Sequence, residues 1–262
     1  IENLGSREGI AKAKMEITDG LVPDGLLVVP ADEPLLTPLT ATLVQTVTTF
    51  GIGNGDVHAE VTAKGKAQTD FVVEGETFTI PLPGSYNVTN ALIAYTIGRF
   101  FGLSIPEIRQ GLAHVSITQN RTEWLTAGNG AAILSDVYNA NPTAMGLVLD
   151  TFKNLPTKGR RIAVLADMLE LGKDSLSMHA QMSEHIDPEK FAMIFLYGEQ
   201  MHALKEELNQ KYPQLPVFYF EKEKNKLIDA VKQNLEATDS IMLKGSNSMG
   251  LFEVVEQLQQ MK

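Results

Sequence analysis

The segment Asp136-Val-Tyr-Asn-Ala-Asn141 carries several side chains that could bind a polar ligand. It follows an apolar run, which predicts a buried strand, and it precedes Pro142, a residue favoured in the first turn of a helix. Ligands of open α/β sheets bind at the carboxyl ends of strands, where this segment is expected. The same residue types also cap helices and shape turns, so a structural role is the alternative. The candidate residues are Asp136, Tyr138, Asn139 and Asn141.

Two further polar loops follow predicted strands. The loop Asp167-Met-Leu-Glu-Leu-Gly172 comes after the apolar residues 162–166, and the loop Lys244-Gly-Ser-Asn-Ser-Met-Gly250 comes after residues 240–243. Because the carboxyl ends of parallel strands meet at one edge of a sheet, both loops are expected at the same edge as Asp136. Either loop could instead serve only to cap a helix. The candidate residues are Asp167, Glu170, Lys244, Gly245, Ser246 and Asn247.

Two asparagines and one arginine are candidates for contacts with a nucleotide. Asn87 and Asn90 lie three residues apart, and in a helix that starts near Ser85 they share a face of its first turn. Two amides so placed could contact an adenine edge or a phosphate, although capping or packing explains them equally well. Arg121 lies where the chain is expected to cross between domains. Its guanidinium could bind ribose or phosphate oxygens, or it could form a salt bridge at the rim.

The composition restricts the class of function. The sequence has 262 residues, and its 32 acidic and 22 basic side chains give a formal charge of −10, which argues against a surface for nucleic acid or anionic membrane. The absence of cysteine excludes disulfides and thiolate metal sites, and the five histidines lack the spacing of a zinc centre. Neither a membrane-spanning apolar run nor a secretory leader is present, so we expect a cytoplasmic protein without membrane insertion.

The hydrophobic pattern predicts an α/β protein with two domains, residues 1–117 and 118–262. Between residues 46 and 82, short alternating segments broken at glycines favour an antiparallel ribbon, and two helices are expected after it. From Glu123 onward two strands are followed by helices and strands in alternation, which predicts a largely parallel sheet. The strands of that alternating part are predicted near residues 162–166, 192–196, 217–220 and 240–243.

Several of these segments resemble the Mur ligases, the ATP-dependent enzymes that add amino acids to the peptidoglycan precursor. The segment that carries most of the resemblance is Asp-Val-Tyr-Asn-Ala-Asn-Pro-Thr-Ala-Met from residue 136, and Asn-Arg-Thr-Glu from residue 120 is similar to the family's Gly-Arg-x-Glu junction. The loops from Asp167 and Lys244 resemble the branch that attaches D-alanyl-D-alanine to UDP-N-acetylmuramoyl-tripeptide. The resemblance implies a partial central ATPase domain followed by a Rossmann-like C-terminal domain with a mostly parallel sheet.

The resemblance also implies roles for individual residues. The segment Ser-Arg-Glu-Gly-Ile-Ala-Lys-Ala-Lys-Met-Glu-Ile from Ser6 resembles the one whose lysine is carbamoylated, and Lys14 is the matching position. A carbamate offers Mg²⁺ anionic oxygens, whereas an ordinary lysine is solvated and repels the cation. Lys14 and Asp136 are thus the implied catalytic residues. The implied ATP contacts are Asn87, Asn90, Arg121, Asp136, Tyr138, Asn139 and Asn141, and the loops from residues 167 and 244 would bind substrate.

Besides Asn120 in place of Gly, the sequence departs from the family at three points. Tyr86 stands where many members have His, Asn247 stands where Arg is common, and the phosphate-binding Gly-x-x-x-x-Gly-Lys-Ser/Thr loop is missing. The chain by itself is therefore expected to be inactive. With that loop, the resemblance implies a monomeric ligase that uses ATP and Mg²⁺, with UDP-N-acetylmuramoyl-tripeptide and D-alanyl-D-alanine as substrates. A sister ligase that adds glutamates to folate, or a non-enzymatic α/β ligand-binding module, are the alternatives.

Overall fold

The computed structural model describes residues 4–115 and 120–261. The chain forms two compact units, Ile1–Ser116 and Ile117–Lys262, each with a sheet of its own. The predicted α/β class is confirmed in both units. The predicted boundary between residues 117 and 118 falls outside the described residues, so the two domain ranges remain predictions.

The first unit is a five-stranded mixed sheet with helices, in the strand order β1-β2-β3-β4-β5. Its first helix begins after Ser6, whose hydroxyl oxygen caps the helix by accepting a hydrogen bond from the Gly9 N–H at 3.1 Å. The elements are α1 (Arg7–Met15), β1 (Leu26–Pro30), α2 (Thr37–Thr40), β2 (Thr46–Ile52), β3 (Val57–Lys64), β4 (Thr69–Val73), β5 (Glu76–Ile80), α3 (Ser85–Phe100) and α4 (Ile105–Ala113).

The connection between β2 and β3 differs from the predicted antiparallel ribbon. β2 is parallel to both β1 and β3, and only the pairs β3–β4 and β4–β5 are antiparallel. Residues 53–56 are too few for an ordinary parallel crossover. Instead, Gly53 and Gly55 adopt φ angles of 73° and 95°, which allow a short, sharply turned loop between the two strands. Asp56 Oδ2 closes the loop by accepting hydrogen bonds from the N–H and hydroxyl of Thr49, at 2.9 and 2.7 Å.

The core of the first unit fixes α3 on the sheet. Val88, Leu92 and Tyr95 of α3 are buried against the strands. Phe78 of β5 packs edge-on against the Tyr95 ring at 5.5 Å and stacks with Phe71 of β4 at 5.7 Å. Aromatic pairs in these arrangements add stabilisation beyond the area they bury. The helix that carries the two candidate asparagines is therefore held firmly against the sheet.

The second unit is a six-stranded sheet in the order β10-β9-β8-β11-β7-β6, in which only β6 is antiparallel to its neighbour. The four predicted strands of its alternating part are confirmed, each to within one residue at either end. The elements are β6 (Glu123–Thr126), β7 (Ala132–Asp136), α5 (Pro142–Phe152), β8 (Arg161–Ala166), α6 (Ser175–Gln181), β9 (Met193–Tyr197), α7 (His202–Lys211), β10 (Val217–Phe220), α8 (Lys224–Asn234), β11 (Ser240–Lys244) and α9 (Leu251–Gln259).

Helices cover both faces of this second sheet. Val164 and Leu243 point to the face where α8 and α9 pack. Leu165 and Met242, their neighbours along the strands, are equally buried and point to the other face, where α5, α6 and α7 follow from right-handed connections. A strand that is covered on both faces has a continuous run of apolar residues in its sequence. For this reason the strands in the centre of the sheet could be predicted well from the sequence. Among the described residues, no helix has the length and apolar character needed to cross a membrane.

Candidate functional site

The carboxyl ends of three neighbouring strands bring the predicted loops together in the second unit. β11 lies between β7 and β8, and Lys244 at its end is in register with Asp136 on one side and Leu165 on the other. The helix that follows β11 covers one face of the sheet, whereas the helices that follow β7 and β8 cover the other. The chain thus diverges to opposite faces at this edge, which is where open α/β sheets bind ligands.

A buried ion pair lies at the centre of this edge. The Lys244 ammonium is 2.5 Å from Asp136 Oδ2 and donates a second hydrogen bond to the Asn139 carbonyl at 2.9 Å. The Lys244 side chain is 2% exposed and that of Asp136 is 11% exposed. Asp136 Oδ1 also accepts the Thr122 N–H at 3.2 Å. Burying a charge costs several kcal/mol unless it is paired, so the two side chains depend on each other.

The asparagines of residues 136–141, called the signature segment below, shape the start of α5. Asn141 Oδ1 accepts the Ala144 N–H at 2.8 Å and so caps the helix, and Asn139 Oδ1 accepts the Ala140 N–H at 2.8 Å. These contacts are the structural roles that their residue types favour. Both side chains are exposed, and their roles in binding ATP remain predictions.

Arg121 and Tyr138 form one exposed surface beside Asp136. The Arg121 guanidinium lies 4.6 Å from the centroid of the Tyr138 ring, a cation–π contact. Residues on both sides of Arg121 have left-handed backbones, with φ of 61° at Asn120 and 50° at Thr122. Asn tolerates this conformation, which agrees with its place where the family has Gly, but a β-branched Thr is strained in it. Hydrogen bonds from the Thr122 N–H to Asp136 and from the Tyr138 N–H to the Asn120 carbonyl hold this turn against β7.

The loops after β8 and β11 are joined by hydrogen bonds. The Ser246 N–H donates to the Asp167 carbonyl at 3.0 Å, and the Leu169 N–H donates to the Ser246 hydroxyl oxygen at 2.9 Å. The Asp167 carboxylate accepts the N–H groups of Gln200 and Met201 at 3.1 and 2.9 Å. Burial raises the pKa of Asp167 above its ordinary value, while these hydrogen bonds act against that shift. The structure therefore brings Asp167 and Ser246 together and uses their polar groups to fix the loops.

The other predicted residues of these two loops differ in exposure. Gly245 is buried, and a Cβ there would lie 2.7 Å from the Ala166 side chain, so the backbone approaches β8 more closely than an ordinary residue allows. Glu170 and Asn247 are exposed at the surface of their loops. Glu170 and Asn247 are thus more accessible than Asp167, Gly245 and Ser246, and the predicted role of the whole set in substrate binding stays a prediction.

Asn87 lies in the first turn of α3 and Asn90 in the second, three residues apart on the helix that the sequence predicts to start near Ser85. The Asn87 side chain is 9% exposed, and its Nδ2 donates to the Pro83 carbonyl at 2.8 Å, which stabilises the turn before the helix. Asn90 is exposed. The placement agrees with a pair of amides on one helical turn, and their contact with adenine remains a prediction.

Lys14 is exposed near the end of α1 and lines a pocket of about 220 Å³. The Arg7 guanidinium and the Glu33 carboxylate, 2.8 Å apart, belong to the same wall. The other lining residues are Ile10, Ala11, Leu35 and Leu36, and neither Asn87 nor Asn90 is among them. The pocket therefore combines an apolar floor with two cations and one carboxylate.

The side chains present do not form a magnesium site by themselves. Among the described residues, no group of three or more His, Cys, Asp or Glu side chains is placed to hold a metal ion. Of the residues lining the Lys14 pocket, Glu33 carries a carboxylate, and it is already paired with Arg7. An ammonium at Lys14 would repel Mg²⁺, and only its carbamate would add an oxygen ligand. The predicted metal role of Lys14 thus depends on that modification.

Comparison with known protein families identifies the fold. The profile of the Mur ligase middle domain matches residues 1–98, and that of the Mur ligase glutamate ligase domain matches residues 120–247. This chain belongs to the Mur ligase family. The expected partial central domain and the largely parallel C-terminal sheet are both confirmed by these matches.

Relatives of this Mur ligase chain extend beyond it. UDP-N-acetylmuramoyl-tripeptide--D-alanyl-D-alanine ligase of Bacillus subtilis (strain 168) is 36% identical over 261 residues, which are 98% of this chain and 56% of the relative. MurF from Acinetobacter baumannii superposes with a TM-score of 0.86 at 22% identity, over 99% of this chain and 57% of that one. MurF ligase from Thermotoga maritima, solved in complex with ADP, has a TM-score of 0.81 at 19% identity, over 99% and 58%. The chain thus spans little more than half the length of these proteins.

His179 supports the loop after β8 of this Mur ligase chain, and the sequence analysis did not single it out. The residue is fully buried, its Nε2 accepts the Met168 N–H at 2.9 Å, and its Nδ1 lies 2.7 Å from the Ser175 carbonyl. Because a carbonyl only accepts, Nδ1 carries the proton and the ring is neutral. Burial lowers the pKa of His179. No motif marks a single histidine of this kind, since its partner lies eleven residues upstream in a loop.

We expect the free energy of unfolding of the second unit to fall as the pH drops below about 6.5, the ordinary pKa of histidine. The folded pKa of His179 is lowered, so below that pH the unfolded state binds more protons, and stability is lost as the pH falls. Urea unfolding followed by the fluorescence of Trp124, the single tryptophan of the chain, measures this dependence.

The variant His179→Gln should flatten that dependence, and His202→Gln, at an exposed histidine, should leave it unchanged. The raised pKa of Asp167 acts in the opposite direction, because its ionisation opposes folding as the pH rises. Asp167 is present in both variants, and the charge of His179 is a smaller influence on its pKa than burial, so the difference between the variants reports chiefly on His179. Equal slopes for His179→Gln and the parent chain between pH values of about 5 and 7 would contradict the assignment.

Proposed function

We propose that this chain supplies the middle and C-terminal parts of an ATP-dependent ligase that joins D-alanyl-D-alanine to UDP-N-acetylmuramoyl-tripeptide in cytoplasmic peptidoglycan synthesis. The observation that carries the proposal is the ion pair between Lys244 and Asp136, which places the signature segment and the loop after β11 at one sheet edge. The 36% identity to a curated ligase of that specificity supports the choice of substrates.

The proposed reaction activates a carboxylate. The terminal carboxylate of the tripeptide attacks the γ-phosphate of ATP and releases ADP, and the amine of D-alanyl-D-alanine then displaces inorganic phosphate to form the amide. The chain contributes mainly by positioning. Asn87 and Asn90 would bind adenine, and Arg121 and Asp136 would hold the ribose and phosphate side, with Tyr138 beside them. A complex of the Thermotoga maritima relative with ADP supports a nucleotide as ligand.

The amine substrate would bind at the loops after β8 and β11. Glu170 and Asn247 are exposed there, while Asp167, Gly245 and Ser246 keep the loops in shape. Lys14 as a carbamate would contribute one oxygen ligand for Mg²⁺, which when bound neutralises charge on the phosphoryl group. We further propose that the enzyme acts as a monomer.

A protein that contains this chain together with a phosphate-binding loop is called the whole ligase below. The printed sequence lacks that loop, so the amides and lysine that orient the β- and γ-phosphates must come from elsewhere in the whole ligase. We expect the chain alone to bind ATP with a Kd weaker than about 1 mM and not to hydrolyse it. Calorimetry and a phosphate-release assay measure both.

A ligation assay with the whole ligase tests the proposed function. It offers D-alanyl-D-alanine or L-glutamate as the amine, and UDP-N-acetylmuramoyl-tripeptide or a folate as the carboxylate. We expect ADP and phosphate to form only with the tripeptide and D-alanyl-D-alanine together, with one amide product per ATP. Turnover of folate and glutamate instead would assign a sister ligase, and nucleotide binding without any ligation would favour a ligand-binding module.

A further inference from the structure

The Lys244 ammonium is too enclosed to serve as a substrate contact. Its side chain is 2% exposed, and two of its hydrogen bonds go to the Asp136 carboxylate and the Asn139 carbonyl. An ammonium has three donors, so most of its capacity is used inside the protein. Each bond ends on the signature segment, at its first residue and three residues later. The lysine therefore acts on that segment from the neighbouring strand.

The Lys244–Asp136 ion pair joins two neighbouring strands of the sheet, so it can hold the segments attached to them in a fixed position. Lys244 and Asp136 are directly opposite each other in the parallel pairing of β11 and β7, and both strands are buried at this point. Asp136 in turn accepts the Thr122 N–H, which holds the strained turn that carries Arg121. One ammonium thus fixes both the segment after β7 and the turn before β6.

The pair also sets the charge of the site. An unpaired carboxylate at this edge would repel the phosphates of a nucleotide, whereas the ion pair carries no net charge and still offers carboxylate oxygens to hydroxyl groups. Asn139, whose carbonyl Lys244 binds, is kept in place without using its side chain. Both effects favour a nucleotide over a cation as the ligand of Asp136.

We propose that Lys244 is a positioning residue, which neutralises Asp136 and fixes residues 136–141 and the Thr122 turn for nucleotide binding, and that it does not contact substrate. The proposal rests on the proposed function for the identity of the ligand of Asp136. It gives Lys244 a different role from the substrate contact that the sequence suggested.

A general loss of stability is the competing explanation, and the chain offers a matched control. The Arg160 guanidinium lies 2.7 Å from Asp239 Oδ2, and Asp239 is 1% exposed. Asp239 immediately precedes β11, so this second pair lies at the amino end of the same strand whose carboxyl end carries Lys244. Removing either cation leaves a buried aspartate unpaired, but only one of the two pairs lies at the candidate site.

The first experiment compares Lys244→Met with Arg160→Met in the 262-residue chain. We expect both variants to melt at a lower temperature. Only Lys244→Met should raise the exchange rate of the Thr122 amide, by about tenfold or more relative to amides of β8 and β9. The Thr122 N–H donates to the Asp136 carboxylate, and this carboxylate is no longer held by the Lys244 ammonium in that variant. In a chemical-shift titration with ADP, Lys244→Met should weaken binding by about fivefold or more, and Arg160→Met should stay within about twofold.

A second experiment restores the ammonium. The chain has no cysteine, so Lys244→Cys provides a single thiol, which 2-bromoethylamine alkylates in denaturant to give a side chain of nearly the same length as lysine. After refolding, we expect this product to recover ADP affinity to within about threefold of the parent chain. The same variant treated with iodoacetamide carries a neutral amide and should not recover.

The results of these experiments distinguish a failure of the positioning role of Lys244 from a failure of the proposed function. Normal Thr122 exchange and ADP affinity in Lys244→Met, or equal recovery with both reagents, would overturn the positioning role. If saturating ADP shifts no resonance of residues 136–141 in the whole ligase, the nucleotide role of Asp136 fails, and amide exchange in Lys244→Met still decides whether Lys244 fixes the segment.

Discussion

Replacement of Lys14 by alanine in the whole ligase is expected to reduce the rate of ligation on the order of 10²–10³-fold. Lys14 lies exposed on α1, in a pocket with Arg7 and Glu33. A metal ligand contributes several kcal/mol of charge stabilisation during phosphoryl transfer, and an ammonium cannot supply it. The loss should therefore reflect the missing carbamate, and a small added carboxylate such as formate should restore part of the activity.

Lys12 provides the control for this prediction. It lies on the same helix, two residues before Lys14, and is exposed but does not line the pocket. Lys12→Ala should keep the parent activity. Isotopically labelled bicarbonate gives a readout that is independent of activity, because a carbamate carbon signal should be present in Lys12→Ala and absent in Lys14→Ala. Full activity of Lys14→Ala in bicarbonate-free buffer would exclude the carbamate.

Replacement of Asp136 by alanine should destabilise the second unit by about 3–5 kcal/mol, in addition to any effect on ligation. The reason is the Lys244 ammonium, which is 2% exposed and would lose the anion 2.5 Å away. Asp150→Ala is a suitable control, since Asp150 also pairs with a lysine but is 41% exposed. A pair so exposed contributes about 0–1 kcal/mol. Urea unfolding followed by Trp124 fluorescence distinguishes the two cases.

The double variant Asp136→Leu with Lys244→Met sharpens the same test. When both partners of a buried ion pair become apolar groups of similar volume, most of the lost stability usually returns. We expect the double variant to unfold near the urea concentration of the parent chain, while either single change unfolds well below it. If Asp136→Ala were as stable as Asp150→Ala, the Lys244–Asp136 ion pair would not make the expected contribution to the free energy of unfolding.

The sequence predicted the positions of elements well and the contacts of side chains less well. The four strands in the alternating part of the second unit were located within one residue, and three of them, β8, β9 and β11, are buried on both faces and so have a strong apolar signal. The loops at their carboxyl ends could be assigned to one sheet edge from the alternation of strands and helices alone. Capping was one of the two roles open to Asn141 from its residue type, and the structure shows that capping bond.

The parts that the sequence did not reveal depend on tertiary pairing. The parallel arrangement of β2 and β3 follows from Asp56 binding Thr49 across a glycine turn, and local pattern cannot distinguish that loop from a hairpin. The partner of Lys244 lies 108 residues away along the chain, so only the pairing of β7 and β11 reveals the ion pair. His179 was missed because its partner, the Met168 N–H, lies in a loop eleven residues upstream and no motif marks the contact.

The whole ligase is expected to activate the carboxylate as an acyl phosphate, and the transfer of an isotope label from that carboxylate measures this step. The terminal carboxylate of UDP-N-acetylmuramoyl-tripeptide is labelled with a heavy oxygen isotope, and ligation proceeds with ATP and D-alanyl-D-alanine. If the carboxylate attacks the γ-phosphate, one labelled oxygen per amide formed should appear in the inorganic phosphate released, and none in ADP. Release of unlabelled phosphate while the amide still forms would exclude an acyl phosphate intermediate.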